Sequence, residues 1–177
     1  MKSIDVTTFE TAYEIVGGGH YGDRHNVQTK EQADHSMAYV IAAALIDGQL
    51  MPDQFAKERI RRADVQELLQ KVKTHTNFPL KTPRKVVDHL DPYTAVYPDK
   101  VPAKVTITLN SGQELEQKCE DFKGFFTRPL SWDDVITKFN VLAEGIIDRQ
   151  LQQLIVHVVQ HIEQESATAL TTLLTRI

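Results

Sequence analysis

The stretch from Thr29 to Gly48 constrains the fold more than any other part of this sequence. Thr29 can cap the first turn of a helix, and Gln32, three residues later, can bond back to it as in a capping box. Gly48 can adopt the left-handed conformation that ends a helix. These signals predict one helix over residues 30–47. Its main apolar stripe recurs at helical spacing and consists of Met37, Val40, Ile41, Ala44 and Leu45.

The opposite side of this predicted helix is also compatible with burial, since His35, Tyr39, Ala42 and Ile46 cluster there. We expect the stripe of larger residues to pack against the domain's own sheet, because burying each such side chain contributes roughly 1.5–3 kcal/mol. A hydroxyl and an imidazole cost free energy when they are buried without partners. We therefore expect Tyr39 to be partly exposed at a cleft, beside a mobile glycine-rich loop over residues 17–25.

Composition narrows the class of protein. With 177 residues, 41% of them hydrophobic and 25% charged, the chain matches an ordinary globular domain. Its net charge of −4, without a basic block, argues against nucleic-acid binding. An apolar run of about 18 residues, as a membrane span requires, is absent, and the N-terminus lacks the pattern of a signal peptide. These features, with one cysteine, favour a cytoplasmic protein with neither nucleic-acid nor membrane partners.

The remaining segments predict short strands and amphipathic helices. Residues 3–9, 101–109 and 114–120 alternate as strands, and the last two are joined by a turn at residues 110–113. A short helical piece is expected at residues 50–55, followed by a helix at 64–72. Ser131 is expected to cap a helix over residues 131–145, whose predicted buried set includes Val135, Ile136, Phe139 and Leu142. Asp148 is expected to cap a final amphipathic helix, and residues 167–174 are expected to form a short docked tail. Residues 74–100 are interpreted as a long surface loop. This order indicates one α+β domain over residues 1–177, with a small antiparallel sheet packed against helices.

Three features could carry chemistry on sequence alone. His157 and His161 have the i, i+4 spacing of metal ligands, but the sequence gives no third ligand, so no metal site is predicted. Cys119 is expected in the core. Residues 17–19 are three glycines that can serve either as an anion-binding nest or as a mobile connection. His35, Ser36 and Tyr39 are compatible either with satisfied core polar groups or with a catalytic site.

The segment over residues 30–48 resembles the most characteristic stretch of the MmgE/PrpD family, which includes 2-methylcitrate dehydratase and cis-aconitate decarboxylase. The resemblance continues through residues 103–112, Gly124, residues 128–131 and 138–139, and closes at residues 170–174. Asp34 stands where some decarboxylase-type sequences have arginine. The match covers only the C-terminal part of the family pattern. Together with a first strand that starts right after Met1, it suggests a truncated chain or an excised domain.

The resemblance implies a lid domain that completes an active site on an N-terminal all-helical domain, and family members tend to be homodimers. The implied chemistry is a metal-free elimination from a polycarboxylate, in propionate metabolism or a related route, without a cofactor. It implies catalytic roles for Tyr39 and His35, and substrate-binding roles for Ser36, Lys30, His20 and Arg24. Such a site needs donors for an enolate-like charge and a general acid. The isolated chain is then expected to be inactive; the alternative is a stand-alone, non-catalytic binding or interaction domain.

Overall fold

The computed structural model describes residues 1–78 and 82–177 and divides them into two compact units, residues 1–122 and residues 123–177. The prediction of one domain over residues 1–177 stays a prediction. Among the described residues, no helix is both long and apolar enough to cross a membrane.

A four-stranded sheet forms the centre of the first unit. Its strands are β1 (Ser3–Thr8), β2 (Val72–His75), β3 (Ala103–Thr108) and β4 (Glu114–Cys119), in the spatial order β2-β1-β3-β4. The β1–β3 and β3–β4 pairs are antiparallel, whereas β1 and β2 run parallel, with Ile4 opposite Val72. The α+β class is therefore confirmed, but the sheet is mixed instead of purely antiparallel. β2 was not predicted, because its four residues are too few to show the alternation of a strand.

Short helices connect and cover the strands of the first unit. They are α1 (Glu10–Ala12), a π-helical turn (Tyr13–Gly17), α2 (Lys30–Asp34), α3 (Met37–Asp47), a 3₁₀ turn (Pro52–Phe55), α4 (Lys57–Ile60), α5 (Ala63–Leu69) and α6 (Arg84–Leu90). The long loop predicted for residues 74–100 is wrong in part, because β2 extends into it and α6 lies within it. Residues 79–81 of that predicted loop lie outside the described part of the chain.

The predicted single helix over residues 30–47 is two helices. The capping box at Thr29 is present, and Gly48 ends α3 with φ of 70°, so both outer ends are confirmed. Between them α2 ends at Asp34 and α3 begins at Met37. The break has a local cause, because the Ser36 side chain accepts a hydrogen bond from the backbone N–H of Tyr39 and so starts a new helix.

The most deeply buried part of α3 belongs partly to the face predicted to lie at a cleft, since Tyr39 and Ala42 of that face are buried but Ile46 is 37% exposed. Of the stripe predicted for the core, Met37, Val40 and Ile41 are half-buried and pack against the core, whereas Leu45 is 37% exposed. The predicted orientation is therefore wrong in part, because small side chains let the helix lie close to its neighbours, and the Tyr39 ring fills the remaining space. The core around this face consists of Ile4, Val6, Val27, Ala33, Ala38, Ala42, Ala43, Ile60, Val65, Leu68, Leu69 and Val72.

The second unit contains three amphipathic helices, α7 (Trp132–Ala143), α8 (Arg149–Gln160) and α9 (Ala167–Leu174). The predicted caps are present, since Ser131 forms a capping box with Asp134, and Asp148 accepts a hydrogen bond from the N–H of Leu151. The predicted buried set of α7 is wrong in part, because Val135 and Leu142 are exposed.

Cys119, in the first unit, was expected in the core, and this prediction is wrong. The residue is exposed, because β4 is an edge strand and its side chain is not covered.

Candidate functional site

The junction between α2 and α3 exposes an imidazole. His35 is the C-terminal cap of α2, and its Nδ1 lies 2.9 Å from the carbonyl oxygen of Glu31. Because a carbonyl only accepts, Nδ1 carries the proton, and the lone pair of the neutral ring is on Nε2. Within the described residues, no hydrogen bond engages that Nε2, and the side chain is exposed. His35 can therefore accept a proton or, once protonated, bind a carboxylate.

Ser36 has a structural role in this arrangement. It is 1% exposed, its hydroxyl donates to the carbonyl oxygen of Arg24 at 2.5 Å, and it accepts from the N–H of Tyr39 at 3.0 Å. A serine hydroxyl has one proton to donate, so none is left for a ligand. The start of α3 uses the side chain as its cap, and the substrate-binding role assigned to Ser36 stays a prediction.

Tyr39 lies in the core and not at a cleft. It is 0% exposed, its hydroxyl donates to the backbone carbonyl of Gln54, and its ring packs against Phe55. Burial raises the pKa of the Tyr39 phenol, opposed by nearby Arg59 and reinforced by Asp47. The expected exposure is wrong, because the 3₁₀ turn at Pro52–Phe55 satisfies the hydroxyl from within the unit. In this arrangement Tyr39 fixes that turn to α3, and its catalytic role stays a prediction.

Lys30 is exposed on α2 and has a partner of its own. Its ammonium lies 2.6 Å from the Asp34 carboxylate and 6.0 Å from the centre of the Phe55 ring. The hydrogen bond to Asp34 raises the pKa of Lys30. Since surface ion pairs of this kind are worth little free energy, an anionic ligand can compete with Asp34 for the ammonium.

The segment before α2 carries a second cation, Arg24. Arg24 donates through its guanidinium to the carbonyl oxygen of Ile15 at 3.0 Å, and its Nε is buried without a partner among the described residues. Its own carbonyl holds Ser36, so Arg24 is tied to the α2–α3 junction. His20 is exposed, and its backbone N–H donates to Glu14. The segment is thus anchored at Arg24; its expected mobility stays a prediction.

Asp23 and His25 form a pair that the sequence prediction missed. His25 Nδ1 lies 2.7 Å from the Asp23 carboxylate, and Nε2 lies 2.8 Å from the carbonyl oxygen of Val72. Both partners only accept, so both ring nitrogens carry protons and the ring is an imidazolium. Burial lowers the pKa of His25, but the hydrogen bonds to Val72 and Asp23 outweigh it and leave the pKa raised. The only sequence signal was the Asp-x-His spacing.

The histidine pair on α8 lacks further ligands. The rings of His157 and His161 lie 4.5 Å apart, and Nδ1 of His161 donates to the carbonyl oxygen of His157 at 2.8 Å. Across residues 1–78 and 82–177, no group of three or more His, Cys, Asp or Glu side chains could hold a metal ion. A catalytic metal site normally has three protein ligands, so the pair is not a candidate centre.

Comparison with known proteins shows which family the chain is similar to. Residues 1–164 match the family model described as the MmgE/PrpD C-terminal domain. The chain is 30% identical over 155 residues to cis-aconitate decarboxylase of Mus musculus and 29% identical to that of Homo sapiens. Each alignment covers 87% of this chain but 29% of the relative, so the chain spans less than a third of these proteins.

Proposed function

The chain belongs to the MmgE/PrpD family, and from this we propose that it is the lid domain of a lyase that removes water or carbon dioxide from a polycarboxylate such as 2-methylcitrate or cis-aconitate. The observation that carries the proposal is the similarity to two cis-aconitate decarboxylases along 87% of the chain. A helical N-terminal domain supplies the rest of the site. A cytoplasmic location and a homodimer belong to the same proposal.

His35 carries the proton-transfer role in this proposal. Its Nε2 is open to solvent, and its ring is oriented by the bond from Nδ1 to the carbonyl of Glu31. In a dehydration, a base takes the proton next to a carboxylate, and an acid protonates the leaving hydroxyl. In a decarboxylation, the carbon that loses carbon dioxide is protonated by an acid. A positioned imidazole can serve as that base or acid, and such transfers contribute about 10²–10⁴-fold to rate.

Three further residues supply electrostatic stabilisation in this proposal. The carboxylates of the substrate and the enolate-like charge that develops on it are stabilised by Lys30, Arg24 and His20. Of these, Lys30 needs to exchange only Asp34 for the substrate. Tyr39 and Ser36 act indirectly, because they hold the α2–α3 junction that carries His35.

The test uses the full-length protein or, where the helical domain is a separate chain, both chains together. The assembled protein is assayed for consumption of cis-aconitate and of 2-methylcitrate, and this chain alone is expected to be inactive. We expect His35→Gln to lower kcat about a hundredfold or more. His161→Gln is the matched control, because His161 is also an exposed helix cap whose Nδ1 donates four residues back.

Three outcomes would contradict the proposal. Full activity of His35→Gln removes the role of this imidazole. Turnover by the isolated chain removes the need for a helical domain. Binding of cis-aconitate by the assembled protein without turnover supports the stand-alone binding domain instead.

A further inference from the structure

A cleft lies at the carboxyl ends of the two parallel strands of the sheet. Its volume is about 520 Å³, within the range of small-molecule sites. In open α/β sheets, ligands bind outside the carboxyl ends of the strands, and this cleft has the same placement relative to β1 and β2. The cleft contains none of the six residues that the sequence assigned to a site. Its lining is Thr7, Tyr13, Thr74, His75, Thr76, Asn77 and Phe78.

Tyr13 brings a phenol to this cleft. The residue is 6% exposed, and its hydroxyl makes no hydrogen bond with any residue that the structure describes. The hydroxyl oxygen is not among the fully buried polar atoms of the described residues, so it is open to the cleft. Since Tyr13 lines the cleft, a ligand there can supply the missing hydrogen bond.

The position of Tyr13 depends on a specialised turn. Tyr13 begins the π-helical turn that ends at Gly17, and π-helical turns are frequent at functional sites. A Cβ on Gly17 would lie 2.8 Å from Thr74 Cγ2 and 2.9 Å from Tyr13 Cδ2. Glycine at this position therefore lets the Tyr13 ring pack directly beside β2.

The chemistry of the lining favours an uncharged ligand with several hydroxyl groups. The hydroxyls of Thr7 and Thr74 have no hydrogen-bond partner among the described residues, and each can both donate and accept. His75 is paired with Asp5 at 3.1 Å, so it does not present a free cation. Glu14 and Glu10 also act on this side chain, because their charges, after burial, raise the pKa of Tyr13. Carboxylates near the phenol disfavour an anionic ligand.

We propose that this cleft binds a small, uncharged, polyhydroxylated ligand, a monosaccharide or a polyol, with the Tyr13 hydroxyl as its central hydrogen-bond partner. This inference does not rest on the proposed lyase function.

The test is a titration of the ¹⁵N-labelled chain with glucose, galactose, ribose, glycerol and myo-inositol, followed by amide chemical shifts. Citrate and inorganic phosphate are titrated in parallel. We expect at least one sugar or polyol to shift the amides of Thr74 and Thr76. Tyr13→Phe removes only the hydroxyl and should weaken binding roughly threefold to tenfold, as expected for one hydrogen bond. Tyr97→Phe is the matched control, since Tyr97 is exposed and does not line the cleft.

The proposal is overturned if none of the five neutral probes shifts these amides. It is also overturned if Tyr13→Phe binds as tightly as the unaltered chain does. Preferential binding of citrate or phosphate in the cleft would show an anion site instead and would overturn the assignment of ligand class.

Discussion

Replacing Tyr39 by phenylalanine separates a structural role of this residue from a catalytic one. The substitution removes one oxygen atom and keeps the ring that fills the core beside Phe55. The lost hydroxyl is the donor to the buried carbonyl oxygen of Gln54. Because the Tyr39 side chain is 0% exposed, water does not take the place of the lost hydroxyl. The carbonyl of Gln54 is then left without this hydrogen bond.

The expected cost follows from that geometry. Leaving a buried acceptor unsatisfied costs about 1–3 kcal/mol, and the retained packing places Tyr39→Phe near the middle, at about 1.5–2 kcal/mol. For a chain of 177 residues this lowers Tm by roughly 3–8 °C. Urea unfolding followed by circular dichroism measures the change as a lower midpoint with an unchanged slope.

The control is Tyr97→Phe, which removes the same atom from a side chain that is 44% exposed. It should change the free energy of unfolding by less than about 0.5 kcal/mol. The structural interpretation is refuted if Tyr39→Phe is as stable as the unaltered chain. It is also refuted if that variant keeps its stability but loses the activity of the assembled enzyme, since the hydroxyl would then serve the reaction.

Two further predictions concern charged groups of the first unit. The pKa of His25 is raised on folding. The hydrogen bonds of the protonated ring therefore stabilise the folded state fully below the unfolded pKa of about 6.5, and this stabilisation is lost as pH rises through the folded-state pKa. His25→Gln should therefore cost about 1 kcal/mol near pH 5.5 and less near pH 9, measured by urea unfolding at both pH values. Arg59→Gln should cost about 2–3 kcal/mol, since it leaves Asp47 without its bidentate partner. The hydrogen bond from Arg59 holds the pKa of Asp47 below its usual range, so this bond stabilises the fold fully above the unfolded pKa of about 3.9, and the stabilisation is lost as pH falls from there through the lower folded pKa. The variant lacks this contribution, so its free energy of unfolding should fall less steeply below about pH 4 in an acid-unfolding profile.

The ends of the helices were predictable because capping is decided by single side chains. Thr29, Gly48, Ser131 and Asp148 each act where the sequence placed them. A side-chain oxygen that accepts from the N–H three residues on needs only local geometry, and so does a glycine with positive φ. These features do not depend on the rest of the fold.

The orientation of α3 was not predictable from periodicity, because periodicity ranks faces by hydrophobicity and not by how closely they can approach a neighbour. Ala42 and Ala43 contribute little to an apolar stripe, yet both are fully buried. The parallel strand β2 was missed for a different reason. Its four residues include one apolar residue, Val72, so neither alternation nor an apolar run marks it.

The candidate site was predictable only in part. His35 is exposed as a reactive imidazole must be, whereas the exposure expected for Tyr39 is wrong. Asp23 and His25 were missed because the acceptor that completes their arrangement, the carbonyl of Val72, is 47 residues away from His25 along the chain. Tyr13 was missed because its cleft is formed by two strands, one of which the sequence did not show.

The His-Ser-x-x-Tyr spacing itself can be explained by what each side chain does in the fold. Ser36 is the N-cap of α3 and accepts a hydrogen bond from the N–H of Tyr39, three residues on. The hydroxyls of Ser36 and Tyr39 both donate to backbone carbonyls. Those two residues would be required at this junction in a protein with no activity at all. His35 is different, because its ring is exposed and the bond from Nδ1 contributes little to a core. If this junction takes part in a reaction, His35 is the residue of the three through which it acts directly, and substitution at His35 is the change that should lower kcat without lowering stability.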